Sequence, residues 1–145
     1  MKSQHDPRHV ARALALQHLF TTLIAQQPEI EIPELLESLE EEEYDVALYQ
    51  AIVDGITKDV DEIDPMIEEL APAWPIVQIA PVDLILLRMG VWEGFVAKLN
   101  PAKVVINEMI ELGREFGGES SSSFINGVLG NLYNQKKSEL PAEPE

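Results

Sequence analysis

The chain contains no cysteine, which excludes disulfides, thiolate nucleophiles and cysteine-based zinc or iron–sulfur sites. No apolar run approaches the roughly 20 residues that span a bilayer. The opening segment MKSQHDPRHV lacks the apolar stretch of a signal peptide, so a cytoplasmic protein with no membrane partner is expected. There is no phosphate-binding glycine loop, dinucleotide fingerprint or Gly-x-Ser-x-Gly elbow. Strict apolar–polar alternation between turn signals is also missing, which argues against a sheet.

What is present is enough apolar material for one core. The chain has 145 residues and is 46% hydrophobic, which suits a single domain and argues against wholesale disorder. The formal net charge of −16 argues at face value against a nucleic-acid partner. The charge is regional, however. Residues 1–28 carry Lys2, Arg8 and Arg12 against Asp6, together with all three histidines. Residues 29–69 carry sixteen carboxylates against Lys58 alone, and the remaining residues are only mildly acidic.

Proline punctuates the chain as it does at helix starts: Asp6-Pro7, Ile32-Pro33, Asp64-Pro65, Ala80-Pro81 and Asn100-Pro101. The Asp and Asn residues among these can cap the first free N–H groups. Seven helical segments follow. The first spans 7–26, with Leu16, Leu19, Phe20, Leu23 and Ile24 on one stripe; a short one follows Pro33. A third covers 43–58 and a fourth starts at Pro65. The fifth, from Pro81 to about Lys98, is apolar almost all round and belongs at the centre of a bundle. The sixth runs from Pro101 to Phe116, with a left-handed C-cap expected at Gly117-Gly118. The seventh begins in Ser120–Ser123 and ends near Lys137. Residues 1–137 are read as one domain and 138–145 as a disordered tail.

On the first helix Arg8, His9 and Arg12 fall within an arc of about 100°, in line with the later stripe of Leu16, Leu19 and Leu23. The simple reading is a solvated helix end, although arginines at a helix N-terminus oppose the macrodipole. His5 and His9 have the i, i+4 spacing of a metal pair, but Asp6-Pro7 interrupts the turn and no third ligand is near, so no metal is expected. Glu40–Glu43 read as a solvated face or as a contact for a basic protein. Ser120–Ser123 read as a loop and N-cap. With no catalytic constellation, neither an enzyme nor a cofactor is expected.

Three stretches resemble the NusB family of transcription antitermination factors. The first is Arg8-His9-Val10-Ala11-Arg12-Ala13-Leu14-Ala15-Leu16-Gln17-His18-Leu19-Phe20. The second is Trp74 followed by Asp83-Leu84-Ile85-Leu86-Leu87-Arg88-Met89-Gly90-Val91-Trp92-Glu93. The third joins Pro101, Lys103-Val104-Val105-Ile106-Asn107-Glu108, Glu111-Leu112 and Phe116-Gly117 to Phe124-Ile125-Asn126-Gly127-Val128-Leu129. The resemblance implies an all-α fold, a compact bundle of about seven helices in two packed helical subdomains. It also implies binding of single-stranded ribosomal RNA leader transcripts together with a small-subunit ribosomal protein (NusE), within the transcription elongation complex.

Carried over position by position, the resemblance makes Arg8, His9, Arg12, Phe124 and Asn126 candidate RNA-binding residues. It makes Asp83, expected to be exposed at a helix start, the candidate contact for the ribosomal protein. Val10, Ala13, Gln78, Leu84 and Ser123 stand where the family usually has a charged residue, and four of those five are usually basic. A second reading is therefore a NusB-fold interaction module with little RNA affinity, whose acidic surface holds a basic ribosomal protein. A third is the RNA-guiding domain of a ribosomal RNA cytosine methyltransferase, which would need a separate catalytic chain.

Overall fold

The structure, a computed structural model, describes residues 6–26, 43–73 and 75–141. Among the described residues there are five α-helices and no strand: α1 (Pro7–Gln26), α2 (Val46–Leu70), α3 (Pro81–Val91), α4 (Ala102–Phe116) and α5 (Ser121–Lys136). The helix expected after Pro33, the histidine His5 and the tryptophan Trp74 lie outside the described residues.

Where the sequence puts Asp before a helix start, two of the caps form. The Arg8 N–H donates to Asp6 Oδ1 at 2.8 Å, and the Leu48 N–H donates to Asp45 Oδ1 at 3.0 Å. The Asp45 N–H also donates to the Pro7 carbonyl at 3.1 Å, which ties the start of α2 to the start of α1.

The other two Asp/Asn–Pro pairs do something else, and the expected count of about seven helices is not met among the described residues. The third and fourth segments are one helix with Pro65 inside it. Proline removes a backbone donor and normally kinks or ends a helix. Here Ile52, Val53, Ile56, Ile63, Ile67 and Leu70 form one buried stripe that runs straight past it. Asp64, free of capping duty, receives Arg88 on two prongs, each 2.9 Å. Asn100 likewise does not cap α4; its Nδ2 donates to Glu93 Oε2 at 2.7 Å.

The helix that is apolar on every side sits in the middle, as its composition predicts. α3 touches all four other helices, and Leu86, Leu87, Met89 and Val91 are fully buried. Beyond Val91 the backbone widens into a π-helical turn, Trp92–Val96, and closes through the Ala97 N–H to the Trp92 carbonyl at 2.8 Å. Such turns insert one residue into a helix and re-aim its side chains. Lys98 ends the turn with φ of 53°, alone among the described non-glycine residues in the left-handed region. The Trp92 ring lies so close to Gly55 on α2 that a Cβ there would overlap it, while Trp92 Nε1 donates to Asp59 Oδ2 at 3.0 Å.

One further expectation is corrected. Gly117 is extended (φ −94°, ψ −170°), so α4 has no left-handed C-cap. The glycine is needed because the Ser121 side chain packs against its Cα and accepts the Gly118 N–H at 2.8 Å. At the start of the segment read as a tail, Lys137–Glu139 make a 3-10 turn, and Leu140 packs against the core. Among the described residues no helix is long and apolar enough to cross a membrane.

Candidate functional site

The opening turns of α1 hold the residues singled out first. Arg8 is exposed, but His9 and Arg12 are only 8% and 3% exposed. Sequence already contains the reason: Arg12 is one turn from Leu16 and His9 two turns from it, so all three share the face that packs inward. The expected solvent-facing cationic arc is therefore not formed.

Carboxylates from two other helical segments meet these cations. Arg12 Nε and Nη2 donate to Glu93 Oε1 and Oε2 at 2.9 and 2.6 Å, and its Nη1 lies 3.3 Å from Glu108 Oε1. His9 bridges two acids on α4: Nδ1 is 3.1 Å from Glu108 Oε1 and Nε2 is 2.9 Å from Glu115 Oε1. Glu93 is fully buried and reaches Arg12 from the π-helical turn. Glu108 and Glu115 are seven positions apart on α4, hence two turns apart on one face.

The electrostatics follow from the partners. The hydrogen bond to Glu108 raises the His9 pKa from 6.5 to about 9 against the opposing effect of burial, with Glu115 adding its charge. His9 is thus an imidazolium at neutral pH, contrary to the mostly neutral ring expected of an isolated histidine. In return His9, helped by Arg12, holds the Glu108 carboxyl below its usual range against the desolvation that raises it. Burial lowers the Arg12 pKa, but its bonds to Glu93 and Glu108 outweigh that and leave it raised. Two cations and three carboxylates leave the cluster net negative, so it neutralises the basic opening of the sequence from inside.

The remaining candidates are scattered. Phe124 is half-buried and packs against the core, whereas Asn126 is exposed on α5. Asp83 is a further correction: it is 8% exposed rather than free at a helix start, and its Oδ1 has no hydrogen-bond partner. Burial pushes its carboxyl above the usual range, and the Ser121 hydroxyl opposes the shift. Ser120 makes no side-chain cap to α5. Among the described residues no group of three or more His, Asp or Glu is placed to hold a metal ion.

Glu93, Glu108 and Glu115 were missed as site residues. A signal for Glu93 was present: a carboxylate in the middle of a segment that is apolar almost all round is expected to be buried, and a buried charge needs a partner.

Five packed helices, with the first clamped by internal carboxylates, define a small all-α bundle protein. More narrowly, the chain belongs to the NusB family, whose sequence profile matches residues 9–134. The transcription antitermination protein NusB of Herpetosiphon aurantiacus is 35% identical over 139 residues, covering 91% of this chain and 93% of that one. The protein of the same name from Bacillus subtilis is 34% identical over 125 residues, covering 86% and 93%. NusB of T. maritima superposes with a TM-score of 0.70 at 26% identity, over 95% of this chain and 100% of the other. The NusB chain in a crystal structure of NusB and NusE with double-stranded RNA shares the fold, with a TM-score of 0.63 at 22% identity over 88% and 96%.

Proposed function

We propose that this chain is a transcription antitermination factor that binds RNA together with the small-subunit ribosomal protein NusE on ribosomal RNA leader transcripts. The observation that carries the reading is identity of about a third with proteins named for antitermination, along nearly the whole chain. It acts by binding, without catalysis, in the cytoplasm and within the elongation complex.

The geometry redistributes the roles of the candidate residues. Arg8 and Asn126, both exposed, are the RNA contacts in this reading, with half-buried Phe124 two positions before Asn126. His9 and Arg12 act as positioning residues that fix the first turn of α1. Their burial favours one second reading, an interaction module with little RNA affinity that holds the basic ribosomal protein.

A titration of single-stranded leader RNA with and without NusE tests both. The antitermination reading expects RNA binding that tightens with NusE and weakens with salt, by about 0.7 log unit per phosphate contact in the salt slope. Arg8→Ala should reduce that slope by one contact or less. Binding of NusE with no RNA affinity at any salt concentration would leave the interaction module.

A further inference from the structure

A surface hollow of about 360 Å³ lies between the second half of α2, the π-helical turn and the end of α5. At its base the core residues Leu70, Phe95 and Leu132 are nearly covered, and Met66, Val96 and Leu140 are half-buried and offer the apolar contact. Its edges carry both charges, with exposed Glu62 and Glu69 on α2 and Lys98, half-buried Lys136 and exposed Glu139 on the other sides. Asp83 is in the first turn of α3 and Phe95 lies past its end, about 18 Å further along at 1.5 Å per residue. The hollow is thus separate from the Asp83 position.

We propose that this hollow seats a cationic polypeptide segment, with one or two apolar side chains on the floor and Lys or Arg side chains on Glu62 and Glu69. The charge of α2 selects the sign of the partner. From Asp59 to Leu70 the helix carries six carboxylates and no base. Asp59 and Asp64 are turned inward to Trp92 and Arg88, and Asp61, Glu62, Glu68 and Glu69 are left facing solvent. A phosphate backbone is repelled at that range, whereas the net charge of −16 steers cationic partners in.

The layout selects a polypeptide over a small molecule. An apolar centre inside a charged, solvated rim is the anatomy of a protein interface. Glu62 and Glu69 stand about 10 Å apart, two helical turns, with Met66 between them. Cations three residues apart on a polyproline II segment face the same side and span about 9 Å at 3.1 Å per residue, with an apolar residue between them. Lys98 and Lys136 on the far edge disfavour a uniformly basic chain and fix which way the segment lies. The inference is independent of the antitermination reading.

The experiment uses the full chain with methyl-labelled Met and Leu, titrated with a fluorescent ten-residue peptide that repeats Arg-Leu-Pro, which places a cation at every third position. Methyl signals of Met66, Leu132 and Leu140 should shift. The double change Glu62→Lys and Glu69→Lys should weaken binding about tenfold or more, with Glu62→Gln and Glu69→Gln intermediate and an unchanged melting curve. An all-Arg peptide, lacking the anchors, should bind several-fold more weakly. The proposal is overturned by equal binding of the all-Arg peptide, by shifts centred elsewhere, or by single-stranded RNA moving these methyls in the peptide's place. Leader RNA is titrated in parallel. Peptide docking without RNA binding upholds the hollow and strikes the antitermination reading, and the opposite pattern does the reverse.

Discussion

Arg12 and Glu93, 81 positions apart, meet in a two-pronged ion pair at 2.9 and 2.6 Å with side chains 3% and 0% exposed. The pair joins α1 to the π-helical turn at the end of α3, and Asn100 and Glu108 complete it from either side. Its value lies less in net attraction than in the cost of breaking it. Two desolvated charges roughly cancel against their own desolvation, whereas one left alone does not.

Removing one partner should therefore be expensive. Arg12→Met is expected to destabilise the chain by about 3–5 kcal/mol, because Glu93 stays buried without its cation. The pair Arg12→Met and Glu93→Leu should recover much of that loss. Urea unfolding of the two variants checks this, and equal midpoints would contradict it.

The His9 bridge predicts a particular pH profile. Its folded pKa of about 9 lies above the unfolded value of 6.5. The stability it contributes is fully present below pH 6.5 and is lost as pH rises through about 9. Glu108, held below its usual 4.5, contributes in the opposite sense: its share is present above pH 4.5 and lost as pH falls. Melting curves should peak between about pH 4.5 and 6.5. The alkaline loss is at most about 3 kcal/mol, because Glu108 and Glu115 are partly solvated. His9→Gln should flatten the alkaline limb.

Leu86 is fully buried at the centre of the bundle. Leu86→Ala should cost about 2–5 kcal/mol from lost burial and the cavity left behind. Calorimetry at fixed pH reads the change directly.

Asp83 gives a contrast between two substitutions. Its carboxyl is raised by burial, so the charged form is disfavoured in the fold and stability improves as pH falls through its folded pKa toward the unfolded value. Asp83→Asn removes that penalty and should be neutral or mildly stabilising at pH 7, with the advantage vanishing in acid. Asp83→Lys places an uncompensated charge in a site 8% exposed and should cost about 3–5 kcal/mol. Its loss of partner binding would then come with a lowered melting temperature.

The parts of the fold legible in the sequence were those set by one helix at a time. The all-round apolar pattern of residues 82–96 gave the central helix, and Asp6-Pro7 gave the start of α1. What failed depends on groups far apart in sequence. Asp64 and Asn100 look like caps, but Arg88 takes both carboxylate oxygens of Asp64, and the Asn100 side chain turns to donate its Nδ2 to Glu93, both through the tertiary fold. Pro65 looks like a start because nothing local reveals the buried stripe that carries α2 past it. For the candidate site, the alignment of Arg12 with Leu16 could be seen, but the glutamates that make its burial possible are 81 or more positions away.

That separation has a consequence during synthesis. When Arg12 leaves the ribosome, the codon for Glu93 has not been read; at about 5–20 residues per second it follows roughly 4–16 s later, and Glu108 later still. Throughout that interval α1 carries a charged face without the carboxylates that neutralise it, and of its packing partners α2 is the first to be made. Its locking by Glu93 and Glu108 must await the second half of the chain, so a stalled or shortened nascent polypeptide would hold His9 and Arg12 without these carboxylates. The first helix to be made is among the last that can be locked in place.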